Sequence, residues 1–131
     1  MNIYIAGKWE AKERLKAWRT VIENSNLGTV VGTWLNEEGK PGDQVSEREA
    51  WEYANRDLDE INAADLLILD TEDTNERGGR EVEFGFALAK CPHVWVVGPK
   101  RNVFHRLANR HHMTWEETIR TLRVEADRGN R

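Results

Sequence analysis

The chain has 131 residues, 39% hydrophobic and 32% charged, with a formal net charge of −4: enough apolar material for one domain with one core and a well-solvated surface. A mildly acidic balance without a long basic run argues against nucleic acid or an anionic membrane as the main partner. The single cysteine, Cys91, excludes an intramolecular disulfide and reads as a small buried hydrophobe, and no signal peptide or 18-residue apolar run is visible, so a soluble cytoplasmic protein is expected.

Asn2 to Ala6 reads as a strand ended by Gly7, and Ala11, Leu15, Trp18, Val21 and Ile22 fall at helical spacing between Trp9 and about Asn24. Thr29 to Leu35 predicts a second strand. Asn36 to Gln44 is a polar loop, with Gly39, Pro41 and Gly42, long enough to act as a flap. Ser46 caps a helix running to about Ala64, with an expected buried stripe of Trp51, Ala54, Leu58 and Ile61. Asp57 lies one residue off that stripe and Tyr53 one turn earlier. Leu66 to Leu69, bounded by aspartates, reads as a strand buried on both faces of a parallel sheet. A polar loop, Thr71 to Arg77, and two glycines lead into a helix with Val82, Phe86 and Ala89 as its expected stripe and Gly85 beside it. Val94 to Val97 closes this βαβ unit. Gly98 to Asn102 is a turn, Val103 to Arg110 a short helix, and His112 to Trp115 holds a short fifth strand. Thr114 caps the last helix, with Glu117 at the capping-box position, and Glu125 to Arg131 reads as a frayed polar tail. The alternation predicts a single α/β domain, a flavodoxin-like doubly wound sheet of about five parallel strands.

Most tryptophans, six in all, are expected in the core. Adjacent His111 and His112 cannot converge on a metal, His93 and His105 have no acidic companion in sequence, and no nucleophile-elbow serine or Walker loop occurs. No metal or cofactor is therefore expected, and the chemistry left is that of carboxylates. A first-turn glutamate such as Glu83 is ordinarily a dipole stabiliser. Glu81 already fills that role, and Glu83 stands near the carboxyl end of the preceding strand, the ligand edge of an open α/β sheet. Two acids can divide the cleavage of a glycosidic bond, one as nucleophile and one as proton donor.

Three segments together resemble the nucleoside 2-deoxyribosyltransferase family, which includes deoxynucleoside 5′-monophosphate N-glycosidases. They are Ile3-Tyr4-Ile5-Ala6-Gly7, Arg56-Asp57-Leu58 followed by Ala63-Ala64-Asp65, and Gly79 with Glu83-Phe84-Gly85-Phe86-Ala87. The similarity spans the domain from Asn2 to the final helix. It implies that Glu83 is the nucleophile that attacks the anomeric carbon of 2-deoxyribose, that Asp57 holds and protonates the base, and that Tyr4 orients the nucleophile. Trp9, in the turn with Gly7 and Lys8, matches an aromatic that packs near the base in the transferase branch. Core packing for Tyr4 and a helix-start anchor for Trp9 are the ordinary alternatives.

Transferases of this family carry an aspartate six positions before the nucleophile; here that position is Arg77. Base recognition then falls to Asp73 or Glu76 in the same loop, or Arg77 takes the place of the small polar residue that helps to bind a 5′-phosphate in the hydrolysing branch. Gly7-Lys8-Trp9-Glu10 offers one glycine and an acid, which favours the free nucleoside; Lys8, Arg77, Arg80, Lys100 and Arg101 near the same edge favour the monophosphate. The resemblance implies a homodimer or larger homo-oligomer with sites completed by a neighbouring chain. The expected function is cleavage of the N-glycosidic bond of a 2′-deoxynucleoside, with a monophosphate N-hydrolase as first alternative and a non-catalytic nucleotide-binding module as second.

Overall fold

The computed structural model describes residues 1–38, 45–74 and 77–129. β1 (Asn2–Ala6) lies inside a sheet ordered β2-β1-β3-β4-β5, every neighbouring pair parallel. β3 (Leu66–Asp70) pairs with β1 on one side, Tyr4 opposite Leu67, and on the other with β4 (His93–Val97), Asp70 opposite Val97. All five residues of β3 are buried, as expected of a strand covered on both faces. Ile3, Ile5, Leu66 to Leu69 and Val94 to Val97 form the middle of the core.

Helices cover both faces. α1 (Lys12–Asn24) follows a 3-10 turn at Trp9–Ala11, and α4 (Trp115–Gly129) lies beside it, with the Trp18 and Trp115 rings stacked 5.7 Å apart. α2 (Glu47–Asn62) and α3 (Gly79–Lys90) pack against each other. The caps follow the sequence: Ser46 accepts from the Glu49 N–H at 3.2 Å, and Thr114 from the Glu117 N–H at 3.2 Å. α4 continues to Gly129 through residues that read as tail, and Glu125 there meets Arg110 at 2.8 Å.

The second strand is shorter than its sequence suggests. β2 is only Thr29–Val30, and Thr33–Asn36 wind into a 3-10 turn. The turn drives Trp34 and Leu35 into the core, where the indole N–H donates to the Ile5 carbonyl at 2.8 Å. Gly32 permits this, because a Cβ there would lie 3.3 Å from the Tyr4 ring. The expected flap at Asn36 to Gln44 lies largely outside the described residues, which resume at 45. β5 is Arg110–His112 rather than a segment beginning at His112, since it pairs with β4 from Trp95–Arg110 to Val97–His112. A 3-10 turn, Val103–Leu107, precedes it.

Two expected helix stripes are corrected. On α3 the buried positions are Arg80, Phe84 and Ala87, while Val82 is 64% exposed. Val82, Phe84, Phe86, Ala87 and Leu88 spread apolar surface over several sides of the helix, so its docked face is chosen by its neighbours; Phe84 and buried His105 meet edge-on at 5.3 Å. On α2 only Ile61 is fully buried, and Trp51, 67% exposed, stands clear of the core.

Candidate functional site

In the strand order β2-β1-β3, the connection from β1 leaves toward one face and that from β3 toward the other, which opens a crevice beyond their carboxyl ends. A cavity of about 630 Å³ occupies it. Gly7, Trp9 and Glu10 line it from the segment after β1, Trp34 and Glu37 from the second 3-10 turn and its C-terminal cap, Tyr53, Arg56 and Asp57 from α2, and Arg77, Gly79, Arg80 and Glu83 from α3 and its approach.

Glu83 is on the second turn of α3, facing β1. Tyr4, buried in the middle of β1, donates its hydroxyl to Glu83 Oε2. Glu83 Oε1 has no partner among the described residues. Burial raises the Glu83 carboxyl to about 8; the Tyr4 hydrogen bond opposes this, and the negative charges of Asp57 and Glu60 add to it. Tyr4 in turn is pushed well above the ordinary phenol value, first by burial and then by Glu83.

Asp57 faces the same cavity from α2. Burial raises it to about 6, against the Arg56 guanidinium, which holds Oδ1 with Nη2 at 3.0 Å and Nε at 3.3 Å. Arg56 also pairs with Glu37, lies 3.7 Å from Glu60 and stacks over Tyr53 at 5.0 Å. One guanidinium thus holds acids from three positions. Trp9 and Trp34 supply the aromatic wall, their rings 6.3 Å apart.

Gly78 stands at the N-cap of α3, with a φ of 82° that is comfortable only for glycine. Buried Arg80 ties this start to the sheet by donating to the carbonyls of Asp70 at 3.2 Å and Asp73 at 2.7 Å. Arg77 reaches Glu10 across the crevice at 3.2 Å. Just behind the cavity, Asp70 is 1% exposed yet fully engaged: it accepts from both Arg14 Nη atoms, the Trp115 indole and the Glu72 N–H.

Of the residues singled out in the sequence, Glu83, Asp57, Gly7, Trp9, Arg77 and Gly79 meet around this cavity, with Tyr4 behind Glu83. Lys8 and Asp73 do not line it; Asp73 turns its carboxylate to Arg14 at 3.0 Å. Glu76 lies outside the described residues. Sequence reasoning missed Glu37, Trp34 and the clamping role of Arg56. No spacing marks Glu37, which enters the cavity only because the preceding segment winds up; Arg56 had the one usable signal, its place beside Asp57.

No family model matches the chain, and no curated protein sequence matches it. Solved structures do. A 2-deoxyribosyltransferase from Bacillus psychrosaccharolyticus is 19% identical, with 90% of each chain covered and a TM-score of 0.70. A conserved protein from Enterococcus faecalis is 16% identical, over 95% of this chain and 98% of that one, with a TM-score of 0.69. The CMP N-glycosidase BcmB of Clostridium botulinum is 15% identical, over 96% and 99%, with a TM-score of 0.61. At these identities the shared property is the fold over nearly the whole chain, the same fold that the sequence resemblance implies.

Proposed function

We propose that this chain is a nucleoside 2-deoxyribosyltransferase-like enzyme that cleaves the N-glycosidic bond of a 2′-deoxynucleoside through a covalent glutamyl-deoxyribosyl intermediate. The observation that carries this reading is the Tyr4–Glu83 hydrogen bond at the floor of a cavity that Asp57 shares. Tyr4 engages Oε2 and leaves Oε1 as the attacking atom. Oε1 bonds to C1′ as the bond from C1′ to the base nitrogen breaks, and the bond's electron pair leaves with the base, which takes a proton from Asp57. A ring nitrogen of a second base, or water, then attacks C1′, gives its proton to the Asp57 carboxylate, and frees the Glu83 carboxylate as the C1′–Oε1 bond breaks.

The two acids must therefore be in opposite states, Glu83 ionised and Asp57 protonated. With Asp57 near 6 and Glu83 near 8, the reactive arrangement is the less populated member of the singly protonated pair. Its share is greatest midway between the two values. The likeness to a deoxyribosyltransferase and an N-glycosidase fold supports the reading. Incubation with single deoxynucleosides, with and without a second free base, tests it: base release is expected, and no release from any of them refutes it.

The 5′-monophosphate hydrolase is the second reading, favoured by Arg77 on the cavity wall beside the start of α3. The Arg77–Glu10 pair weighs against it, because Glu10 repels phosphate and offsets the guanidinium charge. The free nucleoside is therefore preferred. A tenfold preference for the monophosphate, about 1.4 kcal/mol of transition-state binding, erased by Arg77→Ala, would reverse that choice.

A further inference from the structure

The sequence leaves base recognition without an owner. Arg77 stands where the transferases carry an acid, and Asp73, one candidate substitute, points at Arg14 rather than into the cavity. The wall formed by α2 and the second 3-10 turn presents a different acid. Glu37 lines the cavity beside Asp57, and one guanidinium grips both: Arg56 Nη2 meets Glu37 Oε1 and lies 3.0 Å from Asp57 Oδ1. The second oxygen of each carboxylate, Glu37 Oε2 and Asp57 Oδ2, has no partner among the described residues.

We propose that Glu37, held beside Asp57 by Arg56, is the base-recognition residue, and that it selects a base bearing an exocyclic amine over the same base bearing a carbonyl. This rests on the N-glycosidic reading of the cavity. A carboxylate only accepts hydrogen bonds, so Glu37 presents acceptors to the edge of the base, while Asp57 in its reactive state donates its proton to the leaving base. The –NH2 group of a cytosine-type or adenine-type base offers two N–H donors to such acceptors. A carbonyl in its place turns lone pairs toward the Glu37 carboxylate, a mismatch that sites built around polar contacts reject strongly. Arg56 does not reverse this preference, because its charge is shared among Glu37, Asp57 and Glu60.

Glu37 is also held in place. Its backbone carbonyl accepts from Lys12, whose ammonium sits 4.0 Å above the Trp9 ring centre. The Trp9 ring is tilted 36° to Trp34, which is anchored to the Ile5 carbonyl. Trp9, Trp34 and Glu37 line one cavity, which offers aromatic surface to the face of a planar base and a carboxylate to its polar groups.

The test uses two substrate pairs that differ only in amine against carbonyl, deoxycytidine with deoxyuridine and deoxyadenosine with deoxyinosine. In at least one pair the amino member is expected to have a kcat/KM at least about tenfold higher. Glu37→Gln, whose amide can donate to a carbonyl, should narrow the ratio to about threefold or less. Binding is measured separately by quenching of tryptophan fluorescence in Glu83→Gln, with and without Glu37→Gln, so that preference is read without turnover. Equal kcat/KM within both pairs, or a preference that survives Glu37→Gln, overturns the proposal. A Glu37-dependent binding preference without base release upholds it and overturns the N-glycosidic reading. Neither release nor selective binding overturns both.

Discussion

Glu83→Gln separates the chemistry of the site from its stability. Glutamine keeps the length of the side chain and an oxygen able to accept from Tyr4, and it removes the charge. The Glu83 carboxyl holds its proton up to about 8, against an ordinary 4.5. Between these values the folded chain keeps a proton that the unfolded chain has lost. Stability from this group is therefore full below the unfolded value, declines as pH rises through the interval, and levels off above the folded value. Each pH unit across the interval is about 1.4 kcal/mol, which sets a ceiling on the order of 5 kcal/mol. Thermal and denaturant unfolding should find variant and parent alike at about pH 5, and the variant more stable by about 2–4 kcal/mol at about pH 9. That corresponds to a rise in Tm of roughly 6–15 °C. Base release should fall by roughly a thousandfold or more at every pH, because an amide is no nucleophile. A variant equally destabilised at both pH values would refute the buried, proton-holding carboxyl. Near-normal turnover would refute the nucleophile, and loss of cooperative unfolding would make Glu83 a structural residue.

The kcat/KM of the parent should be bell-shaped, with limbs near 6 and 8 belonging to the Asp57–Glu83 pair. Asp57→Asn should lower kcat/KM by about tenfold to a hundredfold and abolish the alkaline fall, since only Glu83 must then be ionised; an unchanged bell would exclude Asp57 as the proton donor. Asp70→Ala removes the acceptor of Arg14 and of the buried Trp115 indole, and should cost about 3–5 kcal/mol in denaturant unfolding; a loss under about 1 kcal/mol would show that Arg14 is satisfied by Glu72 and Asp73 alone. Light scattering is expected to give at least a dimer, because Trp51, Val82, Val103, Phe104 and Leu107 are all more than half exposed on this single chain. Full activity of a strict monomer would refute that expectation.

The sequence by itself determined the order and class of the elements, because the signals are local. Leu66 to Leu69 is too short and too apolar for anything but a doubly covered strand, and Ser46 and Thr114 mark helix starts through their own hydroxyls. It also singled out Tyr4, Asp57 and Glu83, through a resemblance to a known family. What it could not carry was direction. α3 is apolar on several sides, and only its contacts decide that Phe84 and Ala87 go inward while Val82 stays out. Thr29 to Leu35 has the residues of a strand, yet the space beside Tyr4 and the free Ile5 carbonyl draw Trp34 into a turn, which carries Glu37 to the cavity. Likewise Asp73 and Glu37 are both acids in polar loops, and nothing in their neighbours along the chain distinguishes them. Arg14 and Arg56 do, by pairing with one outside the cavity and the other on its wall. Such pairings join residues far apart in sequence, so they exist only once the sheet has set the distances between its helices.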